Sequence, residues 1–254
     1  DLVQTFGIKP NFVVGYSLGE TAGLFALKAW SDRDEMLGEI QKSTLFTEEL
    51  AGECRAARRH WKWPKSKPLN WVLFTIDRSM DAIRVLLKRY HHVYPLISNT
   101  NEECVIGGER GAVEAFIREI GCRYVPIKGV TISHCEVLKE VEASYRELHL
   151  RKTVAPPHIQ FYSGAGGRSY GVDRESASNA IFSHALKGVD FPKTINAAYD
   201  DGAGIFLEIG PGASCTRMIN HILKGRPHVA RSFCIQGQDP HSLVLRGLGQ
   251  CISE

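Results

Sequence analysis

The chain has 254 residues, of which 43% are hydrophobic and 23% are charged. A chain of this length buries a full core, and these fractions exclude disordered, collagen-like and coiled-coil proteins. Lys and Arg number 31 against 28 Asp and Glu. The resulting net charge of +3 is too close to neutral for a dedicated nucleic-acid-binding protein.

Membrane association and disulfide bonding are also not expected. No apolar run approaches the roughly 18 residues that a membrane span needs, and residues 1–4 do not have the form of a signal peptide. The seven cysteines are odd in number and form no Cys-x-x-Cys pair. They favour a reduced, cytoplasmic protein without structural zinc.

The first elements are a short helix and a strand. Residues 1–6 are predicted to end a helix, and residues 11–15 form an apolar run typical of a buried parallel strand. A helix that precedes a first parallel strand usually follows a strand of its own. We therefore expect either a fragment of a longer protein or a chain that has lost the fold's first strand and the loop after it.

The next segment, Gly15 to Glu20, has the pattern Gly-x-Ser-x-Gly between this strand and a helix predicted over 21–29. That pattern is typical of a nucleophile elbow, in which a tight turn exposes the serine oxygen and the helix N-terminus faces the reacting atoms. Gly15 and Gly19 are expected to permit the turn and the close approach of helix and strand. The alternative is that Ser17 only caps the helix.

Two segments connect the elbow to a second unit. Residues 32–50 are helical by their apolar spacing. Residues 58–68 form a basic, proline-broken linker containing two tryptophans. A solvated connection with both rings packed against the protein is favoured there over single-strand nucleic-acid binding or docking of an acidic partner.

From residue 69 the pattern predicts a ferredoxin-like β-α-β-β-α-β unit. Its strands are expected at 70–76, 93–98, 103–107 and 122–127, and its helices at 79–90 and 109–120. Afterwards the first pattern resumes, with strands at 159–163 and 204–209 and helices at 177–186 and 214–223. A small domain (69–129) is thus predicted inside a larger α/β domain (1–68 and 130–254).

A serine nucleophile needs a base, which is usually histidine. Of the ten histidines, His134 differs from the rest because it follows the last strand of the insert, where the chain re-enters the large domain. It is the candidate base, with a purely structural histidine as the alternative.

Four features in this order resemble the acyltransferase domains of polyketide and fatty-acid synthases, including malonyl-CoA:acyl-carrier-protein transacylases. The segment Gly15 to Glu20 is similar to the family's Gly-His-Ser-x-Gly-Glu motif, and the insert is similar to its small subdomain. Ser133-His134 matches the end of its specificity motif, and residues 208–212 match a late Glu-Ile-Gly-Pro-Gly turn. In detail, the chain looks most like the acyltransferase subunits of bacterial polyunsaturated fatty-acid synthases.

The resemblance implies an α/β-hydrolase-like large domain with a parallel sheet, interrupted by the ferredoxin-like subdomain. It implies that Ser17 attacks an acyl-CoA thioester with His134 as general base, and that the acyl group then passes to an acyl carrier protein. The Leu18 N–H would donate to the oxyanion. Other synthase subunits would be partners, and no metal, bound cofactor, nucleic acid or membrane is expected.

The chain also departs from the family. Lys42 stands where an arginine normally grips the malonyl carboxylate, and lysine can pair only as a point charge. His184 stands in place of a glutamine that fixes the catalytic histidine, so it is expected either to orient His134 or to cap its helix. Tyr16 replaces a histidine, which should remove a hydrogen-bonding group. The family's upstream oxyanion loop is expected to be missing.

Two other functions are compatible with the elbow. A serine thioesterase or lipase would need an acidic residue in the order serine, acid, histidine, and none sits at an obvious strand end of the large domain. A degenerate acyltransferase kept as a docking domain is supported by Lys42 and Tyr16 but opposed by the intact Ser17 and His134.

Overall fold

The computed structural model of the protein describes residues 2–129 and 131–253. Eleven α-helices lie in this part of the chain, namely α1 (Leu2–Thr5), α2 (Gly19–Ala26), α3 (Arg33–Lys42), α4 (Arg55–His60), α5 (Met80–Leu87), α6 (Arg110–Ile120), α7 (Glu142–His149), α8 (Arg174–Lys187), α9 (Phe191–Asp200), α10 (Ser214–Ile222) and α11 (Pro240–Ser253). A π-helical turn spans Leu45–Glu49 and a 3₁₀ segment spans Glu136–Val141.

The same residues contain ten strands, which form three sheets. They are β1 (Phe12–Val14), β2 (Trp71–Ile76), β3 (Val93–Ser98), β4 (Cys104–Glu109), β5 (Tyr124–Ile127), β6 (Gln160–Ser163), β7 (Arg168–Tyr170), β8 (Val189–Asp190), β9 (Ile205–Glu208) and β10 (Val229–Ser232).

Parallel pairing joins strands that are far apart in the chain. β1 pairs in parallel with β6, and the short β7 adds to β6 in antiparallel fashion. β9 and β10 form a separate parallel pair. The largest apolar cluster packs around these strands and includes the fully buried Leu24 of α2 and Trp30, which follows that helix. The fold class is therefore mixed α/β with parallel strands, as predicted.

The five-stranded sheet has the order β5-β2-β4-β3-β8. Its first four strands are antiparallel, and α5 and α6 cover them through a second cluster that includes Ile106 and Phe116. Both helices have capped N-termini, since the Ser79 hydroxyl accepts the Ala82 N–H and the Glu109 carboxylate accepts the Ala112 N–H. β3 has its predicted bounds, and the other strands differ by one or two residues at their ends.

The short strand β8, which was not predicted, lies outside the 69–129 segment but pairs in parallel with β3 at Ile97 and Ser98. It follows α8 directly, so the carbonyl end of that helix lies against the edge of the five-stranded sheet. The predicted domain boundaries stay a prediction. The second part of the large domain was predicted to begin at Val130, which lies outside the described residues.

The single helix predicted over 32–50 was wrong in its length. Helix α3 ends at Lys42, and Ser43 adopts an extended conformation with ψ of 144°. The Ser43 hydroxyl accepts the Leu45 N–H at 3.1 Å, and the chain then enters the π-helical turn. A serine side chain that bonds to nearby backbone competes with the helix, which explains the break.

The basic segment 58–68 was also partly mispredicted, because α4 extends through His60 and the linker begins only afterwards. Its tryptophans do pack against the protein. The Trp61 ring stacks on Trp71 with ring centroids 5.5 Å apart, and its N–H donates to the Tyr94 hydroxyl at 2.7 Å. Both rings thus serve the packing rather than an exposed stacking surface.

None of the helices in residues 2–129 and 131–253 is long and apolar enough to cross a membrane. Six cysteines in this part of the chain carry free thiols, namely Cys54, Cys104, Cys122, Cys135, Cys215 and Cys234.

Candidate active site

The turn between β1 and α2 has the backbone of a nucleophile elbow. Ser17 has φ of +52°, a left-handed conformation that is uncommon for a residue with a side chain and is often found at functional positions. The Glu20 N–H donates to the Ser17 carbonyl and the Gly19 N–H to the Tyr16 carbonyl, which closes the turn. Ser17 is therefore held at the start of α2 by main-chain bonds.

The two glycines of the motif have different roles. A Cβ atom at position 15 would lie 2.0 Å from the Glu20 main-chain nitrogen, so only glycine lets the strand and helix approach this closely. A Cβ atom at Gly19 would meet nothing within 4 Å. The expectation that both glycines are required was thus wrong for Gly19.

His134 lies opposite Ser17 although 117 positions separate them in the chain. Its Nε2 atom is 2.8 Å from the Ser17 Oγ, and its Nδ1 is 2.9 Å from the main-chain oxygen of His184. A carbonyl can only accept, so Nδ1 carries the proton and Nε2 accepts the Ser17 hydroxyl. The imidazole therefore has the tautomer that a general base needs.

The partner of the His134 Nδ1 is a helix end rather than a carboxylate. The His184 carbonyl belongs to the last turn of α8, and the Ala185 carbonyl of the same turn accepts the Cys135 N–H at 3.1 Å. The carbonyl end of a helix carries partial negative charge, which stabilises a nearby imidazolium. Main-chain atoms thus orient the Ser17–His134 pair, and no carboxylate of the described residues bonds to the His134 Nδ1.

His134 is only 6% exposed. Burial, and secondarily the proximity of His184, lowers the pKa of His134 from 6.5 to about 4, against the opposing effect of its bond to the His184 carbonyl. A buried histidine of this kind stays neutral, and so able to accept a proton, well below neutral pH.

This pKa predicts an unusual pH dependence. If Ser17 is acylated with His134 as its base, the base must be neutral, and with a pKa of about 4 the rate of acylation should stay constant from pH 8 to about pH 5 and decline only as the pH approaches 4. An ordinary histidine would lose about half of the rate near pH 6.5. The measurement is the rate of Ser17 acylation between pH 4 and 8. A midpoint near 6.5 would contradict the burial argument.

Leu18, the predicted oxyanion donor, follows the nucleophile directly. The residue is 76% exposed, and no acceptor for its main-chain N–H is found among the described residues. The N–H thus remains available at the N-terminus of α2, next to the Ser17 hydroxyl.

His184 was expected to orient His134 or to cap its helix. The structure brings the two residues together, but it is the main-chain oxygen of His184 that bonds to His134. The His184 imidazole turns away and donates from Nδ1 to the Glu20 carboxylate at 2.8 Å. Sequence reasoning gave Glu20 no role, because an acidic residue in the first turn of a helix normally faces solvent.

Tyr16 was expected to remove a hydrogen-bonding group beside the nucleophile, and among the described residues its side chain forms no bond with Ser17 or His134. Its hydroxyl donates to the Asn99 side-chain oxygen at 2.7 Å, and the Asn99 amide donates to Glu103 at 2.9 Å. The bond joins the elbow to the loop between β3 and β4. Asn99 was missed because nothing in the sequence places that loop next to residue 16.

Lys42, the predicted substrate-binding residue, is exposed at the end of α3. No described side chain forms a hydrogen bond or ion pair with it. Among the described residues there is also no group of three or more His, Cys, Asp or Glu that could hold a metal ion.

No protein-family model matches the chain. It is 23% identical over 260 residues to one chain of the polyunsaturated fatty acid synthase of Thraustochytrium sp., covering 96% of this chain and 13% of that protein. It is 25% identical over 235 residues to another chain of the synthase from the same source, covering 90% of this chain and 8% of that protein. The chain thus spans a small part of these relatives.

Solved structures share the fold. The acyltransferase domain from the second module of the salinomycin polyketide synthase superposes with a TM-score of 0.75 at 20% identity, covering all of this chain and 56% of that one. A malonyl-transacylase solved in complex with a type II polyketide synthase acyl carrier protein superposes with a TM-score of 0.72 at 19% identity. The superposition covers 98% of this chain and 76% of that one. The resemblance predicted from the motifs is confirmed, and the fold is that of these acyltransferase domains.

Proposed function

We propose, from the acyltransferase fold and the Ser17–His134 pair that it contains, that the chain transfers an acyl group from CoA to an acyl carrier protein. The observation that carries the proposal is the 2.8 Å contact between the Ser17 Oγ and a neutral His134 Nε2 at a nucleophile elbow. Its relatives include parts of polyunsaturated fatty acid synthases, and one structural neighbour was solved with a carrier protein.

In the first half-reaction the Ser17 Oγ attacks the thioester carbonyl while the His134 Nε2 accepts its proton. The tetrahedral oxyanion receives a hydrogen bond from the Leu18 N–H, and loss of one such donor typically costs about 10²–10³ in rate. The C–S bond then breaks, His134 returns the proton to the CoA sulfur, and the acyl group remains as an ester on Ser17.

In the second half-reaction the phosphopantetheine thiol of the carrier protein gives its proton to His134 and attacks the ester. The C–O bond breaks and the proton returns to Ser17, which restores the free enzyme. Phosphopantetheine arrives with CoA and with the carrier protein, so the proposal assigns no resident cofactor. The free thiols of the described cysteines support a reducing, cytoplasmic setting.

Backbone orientation of His134 supports transfer over hydrolysis by an acid-containing triad, because a carbonyl occupies the position where such a hydrolase has its carboxylate. The intact dyad also opposes a role limited to docking.

Intact-mass measurement tests the proposal. The chain is incubated with malonyl-, acetyl- and longer acyl-CoA, with and without a carrier protein, and the modified residue is located by peptide mapping. We expect an acyl adduct on Ser17 that persists alone and is lost when the carrier is added. Continuous CoA release without a carrier would indicate a hydrolase, and no adduct from any thioester would leave only the docking role.

The role of Lys42 is tested separately. If its ammonium pairs with the free carboxylate of a malonyl group, Lys42→Ala should slow malonyl loading more than acetyl loading, since acetyl lacks that carboxylate. Lys224→Ala, which removes another exposed lysine, is the control. Equal effects on both substrates would show that Lys42 is not the carboxylate-binding residue.

A further inference from the structure

We infer that Glu20 is a positioning residue for the dyad: its buried carboxylate fixes the end of α8 whose carbonyl orients His134. The inference rests on the proposed function, because it concerns how Ser17 and His134 are held together. It differs from a triad role, since Glu20 touches neither Ser17 nor His134 through its side chain.

The Glu20 side chain is only 2% exposed, and that of His184 only 5%. One carboxylate oxygen, Oε2, accepts the His184 Nδ1–H at 2.8 Å and the Gly164 main-chain N–H at 3.1 Å. A buried carboxylate is costly unless it is bonded in this way. Glu20 therefore ties α8 and the turn between β6 and β7 to the start of α2.

The same residue also belongs to the elbow. Its main-chain N–H donates to the Ser17 carbonyl at 3.2 Å, so its backbone is fixed relative to the nucleophile. Its side chain holds the imidazole of His184, and the carbonyl of His184 holds the imidazole of His134. A short path of three bonded contacts thus links the backbone of Ser17 to the base that must accept its proton.

We expect this path to act by fixing the distance between Ser17 and His134, and not through the charge of Glu20. The other carboxylate oxygen, Oε1, and the hydroxyl of Tyr170 are both buried, and neither has a hydrogen-bond partner within 3.5 Å. Burial, and after it the Glu20 carboxylate, raises the pKa of Tyr170, which places that phenol in the same polar region. A glutamine amide can keep the Oε2 contacts and place its N–H₂ group at the unpartnered position. An aspartate keeps the charge but is one methylene too short.

The test measures the rate at which a fluorophosphonate modifies Ser17, followed by intact mass and expressed per folded molecule. In this reaction the Ser17 Oγ attacks phosphorus, His134 accepts the proton and fluoride leaves, so the rate reports dyad geometry without CoA or a carrier. We expect Glu20→Gln to stay within about fivefold of the native rate. In Glu20→Ala and Glu20→Asp the labelling rate should fall by about 10²-fold, while the half-saturating probe concentration stays unchanged. This is the size of effect expected when a reacting group is misplaced by about 1 Å.

Arg151→Leu is the matched control, because it also removes a buried charged side chain, one that pairs with Asp32 and Glu39 away from the dyad. It should lower the unfolding midpoint without changing the labelling rate per folded molecule. Equal slowing by Arg151→Leu, native labelling by Glu20→Ala, or Glu20→Asp reacting faster than Glu20→Gln would each overturn the inference. Absence of Ser17 labelling in the native protein would instead contradict the proposed function.

Discussion

Replacing His134 by alanine is expected to slow acyl loading of Ser17 by about 10²- to 10⁴-fold, the usual contribution of a positioned general base. The hydroxyl of Ser17 loses its 2.8 Å acceptor, and its proton must then pass to water. The measurement is the single-turnover rate of adduct formation from acyl-CoA by intact mass, with Ser17→Ala giving the background.

His149 provides a matched control for that substitution. It is also a buried histidine, its Nδ1 donates to the carbonyl of Tyr145 at 2.6 Å, and burial lowers its pKa to about 4. It differs from His134 in having no contact with Ser17. His149→Ala should therefore destabilise the fold but leave the loading rate per folded molecule unchanged. Equal loss of loading in both variants would mean that His134 acts only through stability.

Gly15→Ala is expected to destabilise the protein by more than about 4 kcal/mol or to prevent folding, which is the range of severe backbone conflicts. The added methyl group would lie 2.0 Å from the main-chain nitrogen of Glu20 and 2.2 Å from its Cα, and neither atom can move without opening the elbow. Urea unfolding followed by circular dichroism measures the effect, together with the yield of folded protein.

The second glycine of the motif is the control for the first. A methyl group at Gly19 meets no atom within 4 Å, and position 19 is the first residue of α2. Gly19→Ala should change the free energy of unfolding by less than about 1 kcal/mol, with alanine favoured by its helix propensity. A large loss at Gly19, or a small one at Gly15, would show that the strand–helix contact has been assigned to the wrong glycine.

Much of the local structure follows from sequence because it depends on neighbours in the chain. The strand expected over 93–98 was found with its bounds, and the Ser79 and Glu109 caps are local as well, because their bonds reach only three residues ahead. The predicted single helix over 32–50 was wrong for a reason that is also local, but that gives a weaker signal in the sequence. A single serine at position 43 turned the chain, which apolar periodicity does not detect.

The site was predictable only in part. Ser17 could be found because its turn is encoded by adjacent glycines and by a helix, and His134 because it ends the insert in a recognisable order. The roles of Tyr16 and Glu20 could not be found, since their partners lie 83 and 164 positions away. His184 was expected near His134, but its main-chain oxygen was not expected to make the contact. Lys42 differs from these residues, because the resemblance alone gave it a role as substrate-binding residue. In the structure its side chain is exposed.

The resemblance to a known family proposed Ser17 and His134 as the reacting side chains, and the sequence by itself determined the elbow turn and the β-α-β-β-α-β order of residues 69–129. These depend on backbone preferences and on bonds between residues close in the chain. Only the tertiary structure decided that a helix-end carbonyl, rather than a carboxylate or the His184 imidazole, orients His134. The packing of α8 against α7 and β6, together with the Glu20–His184 bond, sets that choice, because burial fixes which polar atoms must satisfy one another.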